Sequence, residues 1–318
     1  MGDTIVRDSL HDLLEQTIRR YVHRAAYVIT VTTQPMAQNE QGYSGAAMAR
    51  HVVAFTTPAG ETQHVQLITK EASLRERRVL ALLVSQRQDV PFCHTLDLTT
   101  DEPVLMCQQD LSTNPPQPLA DADRQAARCL ARIHAVNLGR GGDLPWLPRA
   151  DRAYLEGTIL ADYRTQLALA QASPAFSSEY GLIAQQVEQT VPSFLTDMDA
   201  LWQEGDALTV IHADVMDSHL LFSGGHPSII DWGQARYGPL YLDLPNYFTP
   251  ATVLFYREAL AEFGVPIPTD KFMERYQKAG RYPGFKYIGV LLYLWTNGHL
   301  DSLHGPLLQQ LLHGGAAS

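Results

Sequence analysis

Chemistry is concentrated in one stretch of the chain, His212-x-Asp214-x4-His219-Leu220-Leu221, followed by Ile229-Ile230-Asp231-Trp232. Leu220 to Phe222 and Ser228 to Ile230 are short apolar runs, and Ser223 to Pro227 between them carry turn residues, which predicts an antiparallel hairpin centred near Gly225. The expected pairs are 222 with 228, 220 with 230 and 219 with 231. That register sets His219 beside Asp231 at the open end, with Cα atoms roughly 4.5 to 5.5 Å apart. Asp214 lies on the incoming loop and reaches the same point. Two carboxylates and an imidazole at a hairpin mouth suit a divalent cation and an oriented nucleophile. The plainer alternative is a buried hairpin with polar ends.

The elements that must position these residues are legible around them. Residues 8–24 place Leu10, Leu13, Leu14, Ile18 and Tyr21 at helical spacing behind Asp8 or Ser9 as a cap. Residues 27–33, 50–57 and 62–70 read as strands, the last two joined by the Pro58-Ala59-Gly60-Glu61 turn. A helix over 73–86 follows, then short strands at 94–98 and 104–107. The breaker cluster Ser112-Thr113-Asn114-Pro115-Pro116-Gln117-Pro118 marks a boundary. Beyond it, helical patterns at 121–138, 152–171, 180–201, 269–280 and 284–298 dominate, interrupted by β-like residues 207–231. The expectation is an α+β chain in two parts: 1–111, an N-terminal antiparallel sheet lobe with one main helix, and 112–318, a larger and mostly helical C-terminal lobe.

In this order the residues resemble the aminoglycoside phosphotransferase and choline kinase-like family. His212-x-Asp214-x4-His219, Ile230-Asp231-Trp232 and Gly238-Pro239-x3-Asp243-Leu244 are similar to its catalytic core, Leu130-Ala131-x-Ile133-His134-Ala135 to its helix upstream, and Val104-Leu105-Met106-x3-Asp110-Leu111 to its hinge. The resemblance implies a bilobal protein-kinase-like fold and transfer of a nucleotide's γ-phosphoryl group to the hydroxyl of a small molecule, acting mainly by alignment and charge neutralisation. It implies that Asp214 is the catalytic aspartate, which accepts or orients the acceptor's proton, and that Asp231 holds Mg²⁺ through hard oxygen donors. It also implies a brace role for Asp243, while His212 reads as an internal hydrogen-bond partner. Lys70 ends an alternating strand as an ordinary solvated lysine would, and by resemblance meets the α and β phosphates. Glu76 then pairs with Lys70. Ser73-Leu74-Arg75-Glu76 is equally a capping box, in which that glutamate would bond its own helix end. Gly42-Tyr43-Ser44-Gly45 resembles a lid whose backbone N–H groups approach phosphates closely.

Two positions depart from the family pattern. Ala213 stands where the family usually has glycine, and His219 where it usually has asparagine. Imidazole suits softer ions, so Mn²⁺ stands beside Mg²⁺ as the expected metal at His219 and Asp231. Macrolide phosphotransferases share a histidine there, which tilts the acceptor towards that branch. Neither GxxxxGK[ST] nor GxGxxG occurs in the sequence.

Composition excludes other classes. The 318 residues carry 24 Lys plus Arg against 34 Asp plus Glu, a net charge of −10 that disfavours a nonspecific grip on nucleic acid or anionic membrane. Cys93, Cys107 and Cys129 lack CxxC spacing and form neither a disulfide framework nor a thiolate zinc site, consistent with a reducing, cytoplasmic setting. The opening residues carry charges throughout, unlike a secretory signal. Tyr287–Trp295, the most apolar late run, is shorter than the ~20 residues of a membrane span and reads as a buried helix. Acidic side chains at Glu156, Asp162, Glu179, Glu188 and Asp197 suit an amine-bearing acceptor, and aromatics at Tyr154, Tyr163, Tyr247, Phe248 and Trp295 an apolar one. The activity the resemblance implies is an ATP- or GTP-dependent kinase of a small-molecule hydroxyl, such as an aminoglycoside, a macrolide or an amino alcohol, working as a monomer or homodimer. The alternatives are a metal-dependent hydrolase built on His212, Asp214, His219 and Asp231, and a silent nucleotide-binding pseudokinase.

Overall fold

The structure is a computed structural model describing residues 2–36, 47–111, 121–223, 226–300, 302, 303, 308, 311 and 312. In chain order the elements are α1 (Gly2–Tyr21), β1 (Tyr27–Pro35), β2 (Met48–Thr56), β3 (Thr62–Ala72), α2 (Leu74–Ser85), β4 (Cys93–Thr95), β5 (Val104–Gln109) and α3 (Ala122–Asn137). There follow α4 (Arg152–Tyr154), a wide π-type turn (Leu155–Leu160), α5 (Ala161–Gln171), α6 (Pro174–Gln203), β6 (Leu208–Ile211), β7 (Leu220–Ser223) and β8 (His226–Ile229). The last elements are β9 (Arg236–Pro239), α7 (Val253–Glu262), α8 (Thr269–Ala279) and α9 (Tyr282–Thr296). Two compact units divide the chain: Met1–Ala122 with Ser218–Gln234, and Asp123–Asp217 with Ala235–Ser318.

The first unit is built on an antiparallel sheet of order β1-β2-β3-β5-β4. Its middle strand, β3, pairs with β2 on one side and β5 on the other, so Lys70 lies opposite both Met48 and Met106. Leu13, Leu14 and Ile18 of α1 fall on one helical stripe and pack on Val28, Val53, Phe55 and Leu67 of the sheet. Each such fully buried side chain is worth about 1.5–3 kcal/mol of transfer free energy. Ser73 caps α2 in extended backbone, its hydroxyl accepting from the Glu76 N–H at 3.3 Å. Arg77 is fully buried, and its guanidinium donates to the carbonyls of Ala72, Thr100 and Glu102 at 3.2, 2.6 and 2.9 Å, tying α2 to the loop before β5. Burial pushes the thiols of Cys93 and Cys107 up to about 12, and all three cysteines are buried and outside any disulfide.

The β7–β8 hairpin belongs to this unit, where Ile229 N–H donates to Asp89 O at 3.1 Å. Its register differs by one from the sequence expectation: Leu220 pairs with Ile229, Leu221 with Ser228, Phe222 with Pro227 and Ser223 with His226. Pairing that continues to Ser223 and His226 leaves a two-residue connection, the commonest hairpin length, rather than a longer loop.

The second unit is helical around one small sheet, β6 paired antiparallel with β9. Ala126, Ala127, Leu130, Ile133 and His134 form the buried face of α3. The Thr209 hydroxyl of β6 donates to His134 O at 2.8 Å. Phe285 of α9 stacks on Phe194 of α6 with ring centroids 4.5 Å apart and meets Tyr163 of α5 edge-on at 5.9 Å. At Gly289 of α9 a Cβ atom would meet the Asp162 carboxylate of α5 and lie 3.6 Å from the Tyr163 N. The helix expected at 180–201 begins earlier, at Pro174, and continues through Pro192. Among the described residues no helix is long and apolar enough to cross a membrane.

Candidate functional site

Within the first unit the structure gathers four of the predicted side chains. Lys70 leaves the end of the central strand with its stem among buried residues, and its ammonium forms an ion pair with Glu76 Oε1 at 2.5 Å. It also donates to Asp231 Oδ1 at 3.3 Å. The two roles anticipated for Glu76 separate cleanly, because the Ser73 cap uses the Glu76 backbone N–H while the carboxylate turns to Lys70. Burial works to lower the Lys70 pKa, but Glu76 and Asp231 outweigh it and hold the ammonium above its ordinary value.

Asp231 sits directly after the hairpin with φ +63, a left-handed conformation uncommon outside glycine. Ile230 N–H donates to His219 O at 3.0 Å, and the indole of the fully buried Trp232 donates to Ile229 O at 3.0 Å. These contacts fix the backbone on both sides of the aspartate. Its side chain is 50% exposed, with Oδ2 3.6 Å from His219 Nε2. One carboxylate oxygen thus faces a cation and the other an imidazole. An oxygen and a nitrogen donor of this kind fit part of a divalent-cation sphere that phosphate oxygens and water would complete. Among the described residues no group of three or more His, Cys, Asp or Glu side chains is placed to hold a metal alone.

The second unit holds Asp214. The fully buried Asp243 carboxylate accepts from His212 N–H at 2.7 Å through Oδ2 and from Ala213 N–H at 2.6 Å through Oδ1. His134 Nε2 lies 3.1 Å from Oδ2, and His134 Nδ1 2.7 Å from the Tyr256 hydroxyl. Tyr256 as donor to Nδ1 and Nε2–H as donor to Asp243 satisfies the whole chain of groups. Ala213 has φ +62, so the loop turns here as a glycine would turn it, and His212 Nδ1 accepts from Asp214 N–H at 3.2 Å. The buried His212 side chain therefore serves its own loop.

The Asp214 carboxylate meets two side chains that sequence reasoning missed. Lys286 Nζ is 2.5 Å from Asp214 Oδ1, and the Tyr287 hydroxyl donates to the same oxygen. Lys286 also donates to Ala213 O, while Asn246 Nδ2 donates to Val215 O at 2.6 Å. Burial first and the Asp214 charge second push the Tyr287 phenol far up, so it stays a donor. A signal for Lys286 was present: it is the one charged residue in the apolar helix Tyr282–Thr296, and a lysine in such a face needs a carboxylate partner. The predicted lid, Gly42, Ser44 and Gly45, lies outside the described residues.

A model of the phosphotransferase enzyme family matches residues 63–281, and the chain belongs to that family. It is accordingly an enzyme of the small-molecule kinase class. Among solved structures, a spectinomycin phosphotransferase in complex with ADP and spectinomycin is 13% identical, with a TM-score of 0.61, covering 95% of this chain and 97% of that one. The AMP-bound complex of spectinomycin phosphotransferase is 15% identical with a TM-score of 0.56, covering 82% and 90%. An aminoglycoside phosphotransferase from Alicyclobacillus acidocaldarius is 16% identical with a TM-score of 0.52, covering 87% and 86%. At these identities the likeness establishes the protein-kinase-like fold. A search of the curated proteins returns no match.

Proposed function

We propose that the chain transfers the γ-phosphoryl group of ATP, with GTP as the alternative donor, to a hydroxyl of a small molecule. The observation that carries this reading is the buried Lys70–Glu76 ion pair aimed at the half-exposed Asp231. A buried charge pair alone brings little net stability, so an ammonium fixed between two carboxylates is better explained by a polyanionic ligand it must meet. The lobe of residues 1–111 supplies this phosphate-binding lysine and the glycine lid of Gly42, Ser44 and Gly45, and the lobe of 112–318 supplies the catalytic loop and the acceptor site.

Each residue has a defined task. Lys70 holds the α and β phosphates, and Glu76 fixes its ammonium in place. Asp231 and His219 hold the divalent cation, Mg²⁺ or Mn²⁺, which when bound neutralises charge on the phosphate oxygens. Asp214 aligns the acceptor hydroxyl and receives its proton as the new P–O bond forms and the bond to the nucleoside diphosphate breaks. Such alignment, with little covalent assistance, supplies most of the acceleration in phosphoryl transfer.

Support also comes from the nucleotides bound in similar structures, AMP and ADP in spectinomycin phosphotransferase complexes. The hydrolase alternative needs a self-sufficient metal cluster, and within the second unit His212 is committed to its loop and Asp214 to Lys286. The test is nucleotide consumption with a panel of hydroxyl acceptors under Mg²⁺ and Mn²⁺. Asp214→Asn should lose turnover by at least ~100-fold while keeping nucleotide affinity, and Lys70→Met should weaken nucleotide use. Undiminished phosphoryl transfer by Asp214→Asn would refute the assignment.

A further inference from the structure

We infer that Lys286, supported by Tyr287, selects the acceptor by charge, so that the hydroxyl phosphorylated by this enzyme carries no cationic group beside it. This inference rests on the kinase reading with Asp214 as the proton acceptor. An ammonium 2.5 Å from that carboxylate already meets its charge, and it repels a second cation brought to the same point. The Lys286 side chain is 11% exposed and that of Asp214 19%, so solvent screens this repulsion weakly.

Three features fix Lys286 there rather than let it swing away. Its ammonium also donates to Ala213 O, on the loop that Asp243 clamps. Its stem leaves α9, whose Phe285 packs edge-on against Tyr163 of α5 and stacks on Phe194 of α6. The neighbouring Tyr287 hydroxyl shares the same carboxylate oxygen and keeps the pair aligned. Lys286 and Tyr287 both lie beyond the residues matched by the family model, which end at 281.

Three of the five acidic side chains suited to an amine are engaged elsewhere. Glu156 pairs with Arg152 at 2.9 Å, Glu188 with Arg164 at 3.6 Å and Asp197 with Arg281 at 3.8 Å. The second unit thus meets an acceptor at the reactive carboxylate with a lysine and offers arginine-neutralised acids along its helices. A neutral or anionic alcohol, one whose own negative group can face Lys286, fits this better than an amino alcohol or an aminoglycoside.

The experiment compares acceptors that share a skeleton and differ only in charge, each amine assayed against its N-acetylated form, with ATP and Mg²⁺ or Mn²⁺. The wild-type enzyme should show kcat/KM at least ten-fold higher for the neutral member. In Lys286→Met that preference should fall at least ten-fold, and Lys286→Arg should restore it. The ratio is taken within one protein preparation, so a loss of folded material does not move it. Transfer that favours the amines, or a ratio unchanged in Lys286→Met, overturns charge selection and leaves the kinase reading intact. Transfer to no acceptor of either kind overturns both.

Discussion

The clamp under the Asp214 loop sets a large and specific penalty on Asp243→Asn. The carboxylate accepts from three donors: His212 N–H and His134 Nε2 on one oxygen, Ala213 N–H on the other. Asparagine has one acceptor oxygen and one NH₂ group. If its oxygen keeps the first two donors, its NH₂ faces the Ala213 N–H, and the opposite orientation sets NH₂ against two donors. The better orientation still loses one hydrogen bond to a charged group, worth about 1.5–3 kcal/mol, and strands a buried N–H. The expected destabilisation is about 2–4 kcal/mol, or a Tm fall of roughly 6–12 °C for a unit of this size. Turnover should fall at least ~10-fold, because a small displacement of Ala213 moves Asp214 out of line. The assay is thermal and urea unfolding beside wild type, with the exposed Asp143→Asn as a control expected within ~0.5 kcal/mol. An Asp243→Asn protein as stable as that control would refute the clamp.

Other outcomes follow from the same structure. Ala213→Gly removes a side chain from a residue at φ +62, and relief of about 1–2 kcal/mol of left-handed strain outweighs glycine's entropy cost, so a gain of about 0.5 kcal/mol is expected in urea unfolding. Gly238→Ala places a Cβ 2.7 Å from Ala150 Cβ, with no flexible end to give way, and should cost about 1–3 kcal/mol in the same measurement. His51 is buried between the Thr33 and Thr69 hydroxyls at 3.0 and 2.8 Å, and burial lowers its pKa. The unfolded chain therefore takes up the proton first, so this contribution is whole above pH about 6.5 and lost as pH falls below it. His51→Asn should flatten that acid limb in stability measured against pH, and an unaltered limb would assign it to other groups.

The sequence carried the element order well wherever periodicity and punctuation agreed. β3 and α2 emerge within two residues of their expected ends because Lys70, Ala72 and Ser73 combine strand alternation with a cap. The start of α6 was missed, although Ser173-Pro174 is a plausible helix entry, because its apolar stripe strengthens only further along. α7 carried no expectation, since Val253–Glu262 is a short run whose buried face is set by distant partners. The hairpin was recognised but its register slipped by one, a choice that depends on loop length rather than on pattern. Within the site, Lys70, Glu76, His219 and Asp231 were identifiable as residues, and the nearness of His219 to Asp231 followed from the hairpin, whereas the contact of Lys70 with Asp231 did not. Lys286 and Tyr287 escaped because α9 reads as an apolar core helix, and nothing local ties its first turn to a loop more than 70 residues earlier.

The unit that contains the sheet is not continuous in the chain: Ser218–Gln234 completes it after residues 123–217 have been made. At synthesis rates of ~5–20 residues per second, the nascent sheet waits on the order of 10 s before Asp231 reaches Lys70. During that interval Lys70 and Glu76 have only each other. A ribosome-bound fragment ending near Ala122 holds the lysine without its second carboxylate, so the cluster of Lys70, Glu76 and Asp231 becomes whole only late in translation.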